Sequence, residues 1–193
     1  MNITITPSDP SPANVGQYFS LECSVDDVQH DPLFEWSFGT GRDSLPTGVT
    51  ASRVINSNNT YSSILIFCPL QASHAGMYTC QLGTPVGGNE VSTMIAINND
   101  SSPSAFVEVT DYGNSRISIG RDHTFRCDLT HDGTSSVATY QWRKDGTLLT
   151  KSGPLLTLSF LRLSDAGQYT CEVTVGSKSY CGKNDITLQS KEL

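Results

Sequence analysis

The chain has 193 residues, 16% of them charged, a formal net charge of −7 and six cysteines. That length suits two domains of roughly 100 residues each. The acidic balance disfavours nucleic acid and anionic membrane as partners, and no apolar run approaches the ~18 residues a membrane-spanning helix needs.

In chain order, residues 2 to 7 alternate as an edge strand that stops at proline. Met1 opens directly on this polar segment, so no signal peptide is expected. Tyr18 to Val25 place Phe19, Leu21 and Cys23 on one face, the period of two of a half-buried strand. Leu33 to Phe38 repeat it with Phe34, Trp36 and Phe38 inward. The 22 residues between Phe38 and Tyr61 are rich in Gly, Ser and Asn and leave room for two or three extra edge strands. Leu65, Phe67 and Leu70 then point inward, a strand carries Tyr78 and Cys80, Gly87-Gly88-Asn89 turns a hairpin, and Glu90 to Asn98 close the unit. Asn98 to Ser104 have no apolar period and read as a linker. Beyond it come Phe106 to Val109, then Phe125, Cys127 and Leu129, then Tyr140 and Trp142 before the turn Arg143 to Gly146. Leu156, Leu158 and Leu161 are inward, Gly176-Ser177-Lys178 turns the last hairpin, and Ile186 and Leu188 end the pattern.

A stretch occurs twice. Ser73 to Cys80 and Ser164 to Cys171 agree at six of eight places, 91 positions apart. Each follows a cysteine and a tryptophan: Cys23 and Trp36 in the first copy, Cys127 and Trp142 in the second. Each also ends in Tyr-Thr-Cys, with Tyr78 and Tyr169 two residues before the second cysteine. The order Cys…Trp…Tyr-x-Cys, found twice, resembles tandem domains of the immunoglobulin superfamily. The resemblance covers nearly the whole chain. It implies an all-β chain of two disulfide-clamped sandwiches, residues 1–99 and 100–193, with the linker at about 98–104. It also implies bridges Cys23–Cys80 and Cys127–Cys171, each against its tryptophan, with the Tyr78 and Tyr169 hydroxyls turned back on the backbone. The cysteine spacings of 57 and 44 positions make the first domain resemble an I-type or V-like unit, and the second a compact C2 or I-type one. Each bridge is worth roughly 4 kcal/mol by the loop-entropy estimate.

Cys68 and Cys181 stand outside the repeat, since the offset of 91 sets Ser159 and Glu90 against them. A bridge between the two domains, a bridge to a second chain, and thiols free or otherwise paired are the open alternatives. Six cysteines point to an oxidising compartment, and sequons at Asn2, Asn58 and Asn99 add modest support for glycosylation. At the repeat's one difference in charge, Asp165 stands where such domains hold an aspartate that pairs with an arginine; the first domain has His74. There the expectation is a solvated surface histidine, or a pH-responsive contact, with Arg53 left without its usual partner.

Residues 1 to 98 hold two basic groups against eight acidic ones, a balance of −6, while the remainder is at −1. A basic protein surface is therefore a tolerated partner for the first domain. The acidic loop Asp26-Asp27-Val28-Gln29-His30-Asp31 reads as a solvated loop, a docking point for a basic partner, or a calcium site. The outward positions Glu35, Ser37, Thr79 and Gln81 form a small polar face. No zinc spacing, nucleophile elbow, phosphate loop or dinucleotide fingerprint occurs, so neither catalysis nor a metal or other cofactor is expected. The resemblance implies an extracellular recognition module of a cell-surface receptor, such as a receptor tyrosine kinase, or of an adhesion protein. It would bind a protein ligand or a second copy of itself, with a dimer open. The alternatives are an intracellular array of spacer domains and a secreted immune-type recognition protein.

Overall fold

The structure is a computed structural model. It describes the chain apart from residues 1, 11, 27–31, 56–59, 84–88, 99–104, 114–116, 132–136 and 189–193, and apart from the side chains of 53–55 and 131. Two compact units emerge: Met1–Val15 with Phe19–Ser102, and Gly16–Tyr18 with Pro103–Leu193. The expected linker lies, from residue 99 on, outside the described residues.

The N-terminal unit runs β1 (Ile3–Pro7), β2 (Ala13–Asn14), β3 (Phe19–Val25), β4 (Leu33–Phe38), β5 (Val49–Ile55), β6 (Tyr61–Phe67), β7 (Gly76–Gly83), β8 (Glu90–Ile95) and β9 (Ile97–Asn98). One sheet has the order β1-β3-β6-β5, the other β4-β7-β8, and β2 pairs in parallel with β9. Alternation dictates this layering. Phe19, Leu21 and Cys23 on β3 are buried, and Leu65 and Phe67 on β6 meet them from the neighbouring strand. Each fully buried side chain of this size contributes roughly 1.5–3 kcal/mol. The Cys23–Cys80 bridge joins the two sheets, with Cα atoms 6.4 Å apart.

Where the sequence reads as space for two or three extra edge strands, the described residues hold one, β5. It joins β6 in the four-stranded sheet. Part of the remaining length is spent on a tight turn: Phe38 and Asp43 exchange backbone hydrogen bonds of 3.0 and 2.8 Å, closing Gly39 to Arg42 into a loop.

The C-terminal unit runs β10 (Ala105–Asp111), β11 (His123–His131), β12 (Ala138–Lys144), β13 (Thr147–Ser152), β14 (Leu155–Leu158), β15 (Gly167–Val175) and β16 (Lys178–Ile186). Its sheets have the orders β10-β11-β14 and β13-β12-β15-β16. Phe125, Trp142, Leu156, Leu161 and Tyr169 fill its core around Cys127–Cys171. The turn from β12 to β13 is Asp145-Gly146, both in the left-handed region, which fits the twist of a tight hairpin.

Both units turn into the strand of the second cysteine through a short 3₁₀ turn, Ala72–His74 in one and Leu163–Asp165 in the other. Tyr78 Oη donates to His74 O at 3.0 Å, and Tyr169 Oη donates to Asp165 O at 2.8 Å. Burial raises the Tyr78 phenol's pKa and brings that of Tyr169 up to about 12. His74 is not the solvated surface residue expected. It is 1% exposed, its ring packed against Phe67. The reason is its role: Nδ1 accepts the backbone N–H of Gln71 at 3.1 Å, which leaves Nε2–H to donate to Thr47 O at 3.2 Å. Asp165 fills the same place with a carboxylate, which accepts the backbone N–H of Arg162 at 2.7 Å.

Candidate recognition face of the N-terminal unit

Glu35, Ser37, Thr79 and Gln81 lie on one side of the sheet β4-β7-β8. Because Trp36, Cys80 and Leu82 alternate into the unit, Glu35, Thr79 and Gln81 fall on the opposite side, where Glu35 is exposed, Gln81 partly buried and Thr79 only 6% exposed. Strand register then sets Glu35 opposite Gln81, and Gln81 opposite Glu90, in one row across three strands. The next row is Ser37, Thr79 and Ser92, with Thr79 and Ser92 hydroxyls 2.8 Å apart.

Arg42 completes the face, and the sequence reading missed it. The loop closed by Phe38 and Asp43 swings the chain back over the sheet, and Arg42 sits in it at φ 58°, uncommon for a residue with a side chain. Its Nη1 donates to Gln81 Oε1 at 3.0 Å, and its Nη2 pairs with Glu90 Oε2. The side chain remains 54% exposed. A guanidinium has five N–H donors, so these two contacts leave donors for a group arriving from outside. The signal available in the sequence was the setting Gly39-Thr40-Gly41-Arg42-Asp43: one of only two basic residues in an acidic half, placed in a glycine turn.

The other expected residues fall elsewhere. Asp26 follows β3 and accepts the Thr60 hydroxyl at 2.9 Å, which ties it to the approach to β6 rather than to the Glu35–Gln81 row. Asp27 and Asp31 lie outside the described residues, as do Asn58, Asn99 and the Arg53 side chain. Asn2 is exposed. Trp36 is partly buried and donates through Nε1 to Ser63 Oγ at 2.9 Å, whereas Trp142 is fully buried and donates to Gly153 O at the same distance. Cys68 and Cys181 are buried, and no cysteine is free among the described residues.

Among the described residues, no three His, Cys, Asp or Glu side chains gather as metal ligands would. His123, expected near a strand start, is buried at the first position of β11 with Nε2 3.2 Å from Asp111 Oδ1; its ring stands edge-on to Phe125. In the C-terminal unit, Glu172 and Arg143 lie 3.8 Å apart, too far for a hydrogen bond. Burial raises the Glu172 pKa, with the Arg143 charge opposing. No helix among the described residues is long and apolar enough to cross a membrane.

Comparison with known proteins agrees with the sandwiches. Immunoglobulin-domain models match residues 2–82 and 105–188. The chain is 27% identical over 143 residues to cell adhesion molecule Dscam1 of Drosophila melanogaster, a match covering 74% of this chain and 6% of that protein. It is 28% identical over 193 residues to protein sidekick-1 of Gallus gallus, covering 88% of this chain and 8% of that protein. Among solved structures, one titled as the structural basis for Dscam isoform specificity matches 98% of this chain and 47% of its own, at 23% identity and a TM-score of 0.36. The chain thus spans less than a tenth of either relative's length. Two matches that together take in most of its residues, each on a bridged sandwich with the buried tyrosine hydroxyl in place, make it a member of the immunoglobulin superfamily.

Proposed function

We propose that the chain is an extracellular protein-recognition module of a cell-adhesion protein, and that it binds through the outer face of β4-β7-β8. The observation that carries this reading is the row Glu35–Gln81–Glu90 with the Arg42 guanidinium laid across it. Both signs of charge stand on one solvent-facing sheet. Such a face is self-complementary under a two-fold axis: Arg42 of one copy can meet Glu35 of another while the converse pair forms beside it. A second copy of the chain is therefore the partner favoured over a uniformly basic surface. The cell-adhesion name of one relative and the absence of free thiols among the described residues also support the reading. The work is binding rather than catalysis, and it needs no cofactor. A polar contact of this size is weak by itself and gains strength when many copies are presented together.

The experiment is aggregation of beads coated densely with the chain. Wild-type beads should cluster, Arg42→Glu beads should stay dispersed, and chelator should change neither. Clustering that survives Arg42→Glu would remove the face from the mechanism, and dispersed wild-type beads would remove the second copy as partner.

A further inference from the structure

The buried imidazole in the corner of the N-terminal unit does a job that a carboxylate does in the other unit, and the two acceptors fail at different acidities. His74 Nδ1 holds the Gln71 N–H at 3.1 Å, and Asp165 Oδ2 holds the Arg162 N–H at 2.7 Å. Both residues close the 3₁₀ turn whose last carbonyl receives a core tyrosine hydroxyl. We propose that His74 makes this corner of the N-terminal unit open on mild acidification, in a range where the matching corner of the C-terminal unit stays closed.

The argument is one of donor and acceptor count. A neutral imidazole has one acceptor nitrogen and one N–H, and here both are used, toward Gln71 N and Thr47 O. A proton added to Nδ1 turns the acceptor into a donor facing another donor. The Gln71 N–H then loses its partner, and a cation sits among Phe67, Tyr78 and the backbone in a site almost closed to water. The Tyr78 phenol is the titratable group in contact from β7; it is already spent as a donor to His74 O, and burial keeps it neutral. Phe67 from β6, the Thr47 segment before β5, and Ile97 and Asn98 of β9 bring no charge, and the Arg53 side chain lies outside the described residues. Imidazole is the side chain that ordinarily changes charge between pH 5 and 8, at about 6.5, whereas a carboxylate does so near 4. The proton is taken up as the corner opens, so the closed form is lost as pH falls.

The two amides are matched reporters within the intact chain. Hydrogen-exchange protection of Gln71, relative to Arg162, should fall roughly tenfold or more between about pH 7.5 and about pH 5.5. In His74→Asp, which gives the first corner the acceptor of the second, the ratio should stay level over that range. Gln71 tracking Arg162 in the wild type, or falling just as far in His74→Asp, would overturn the proposal. If His74→Asp does not fold, nitrogen NMR of the wild-type ring decides alone. A ring whose Nδ1 is bare at about pH 7.5 and stays bare in the closed form at about pH 5.5, while Gln71 protection falls, is the expected result; a ring that becomes charged while Gln71 stays protected contradicts it.

Discussion

The corner at 72–78 and the corner at 163–169 have one backbone and two chemistries. In the first, an imidazole caps the 3₁₀ turn and the Phe38 ring lies against Gly76; in the second, the Asp165 carboxylate caps the turn and the Asp145 carboxylate lies against Gly167. Asp145 also accepts the Gln168 N–H at 2.8 Å. The C-terminal corner is thus held by two anions, which help burial raise the Tyr169 pKa. The fold demands a cysteine bridge, a tyrosine hydroxyl on a carbonyl and an acceptor at the third turn position. It leaves the charge of that acceptor open, and each unit has used the freedom differently.

The bridges should be the largest and least discriminating terms. Replacing both cysteines of either pair by alanine should cost about 4 kcal/mol, and the loop lengths of 57 and 44 residues should separate the two by only ~0.2 kcal/mol. Each unit holds one tryptophan, so fluorotryptophan NMR during urea unfolding reads them separately. A difference above about 1 kcal/mol would mean that strain, not loop entropy, sets their worth.

Glycine-to-alanine changes should divide the corners more sharply. A Cβ at Gly76 would stand 2.6 Å from the partly buried Phe38 ring, and one at Gly167 would stand 2.5 Å from the Asp145 carboxylate. Both glycines have positive φ, so backbone strain is common to the two. An exposed carboxylate can swing away, whereas a packed ring cannot. We expect Gly76→Ala to cost about 3 kcal/mol and Gly167→Ala about 2 kcal/mol in the same unfolding measurement.

Tyr78→Phe and Tyr169→Phe each remove one donor from a buried carbonyl and should cost about 1–2 kcal/mol, equally in both units at neutral pH. The smallest effect expected is that of Asp145→Ala, about 0.5–1 kcal/mol, and its pH dependence carries the information. The bond from Lys144, with help from the Gln168 N–H, holds the Asp145 pKa below its ordinary value. A lowered carboxylate stabilises above its unfolded pKa and loses that contribution as pH falls through the folded one. Wild type and Asp145→Ala should therefore converge below the usual carboxylate range, as thermal melts of the C-terminal unit would reveal.

How far the sequence could be read followed how local each feature is. The Cys–Trp–Tyr–Cys order and the period of two located the core directly: Phe19, Leu21, Leu65, Phe125 and Leu156 are all buried. The outward placing of Glu35 and Gln81 follows from the same alternation. Arg42 was not legible, because its place over β7 and β8 depends on a left-handed turn and on a register set by residues some 40 to 50 positions away. His74 was misread for a related reason. Alignment with an aspartate suggested a surface position, and only the closed turn reveals that its ring nitrogen replaces the carboxylate oxygen. The length between Phe38 and Tyr61 suggested two or three extra edge strands; among the described residues one forms, β5, at the edge of the sheet beside β6.

The central claim, self-recognition through the Arg42 face, is tested most directly by reciprocal charge exchange, read as association in sedimentation equilibrium. Wild type should self-associate weakly. Glu35→Arg alone and Arg42→Glu alone should each stay monomeric, since every cross-pair is then of like charge. Mixed one to one, the two variants should associate again, because each now presents the sign that the other lacks. Failure of the mixture to associate, or either variant associating as tightly as wild type, would contradict the account.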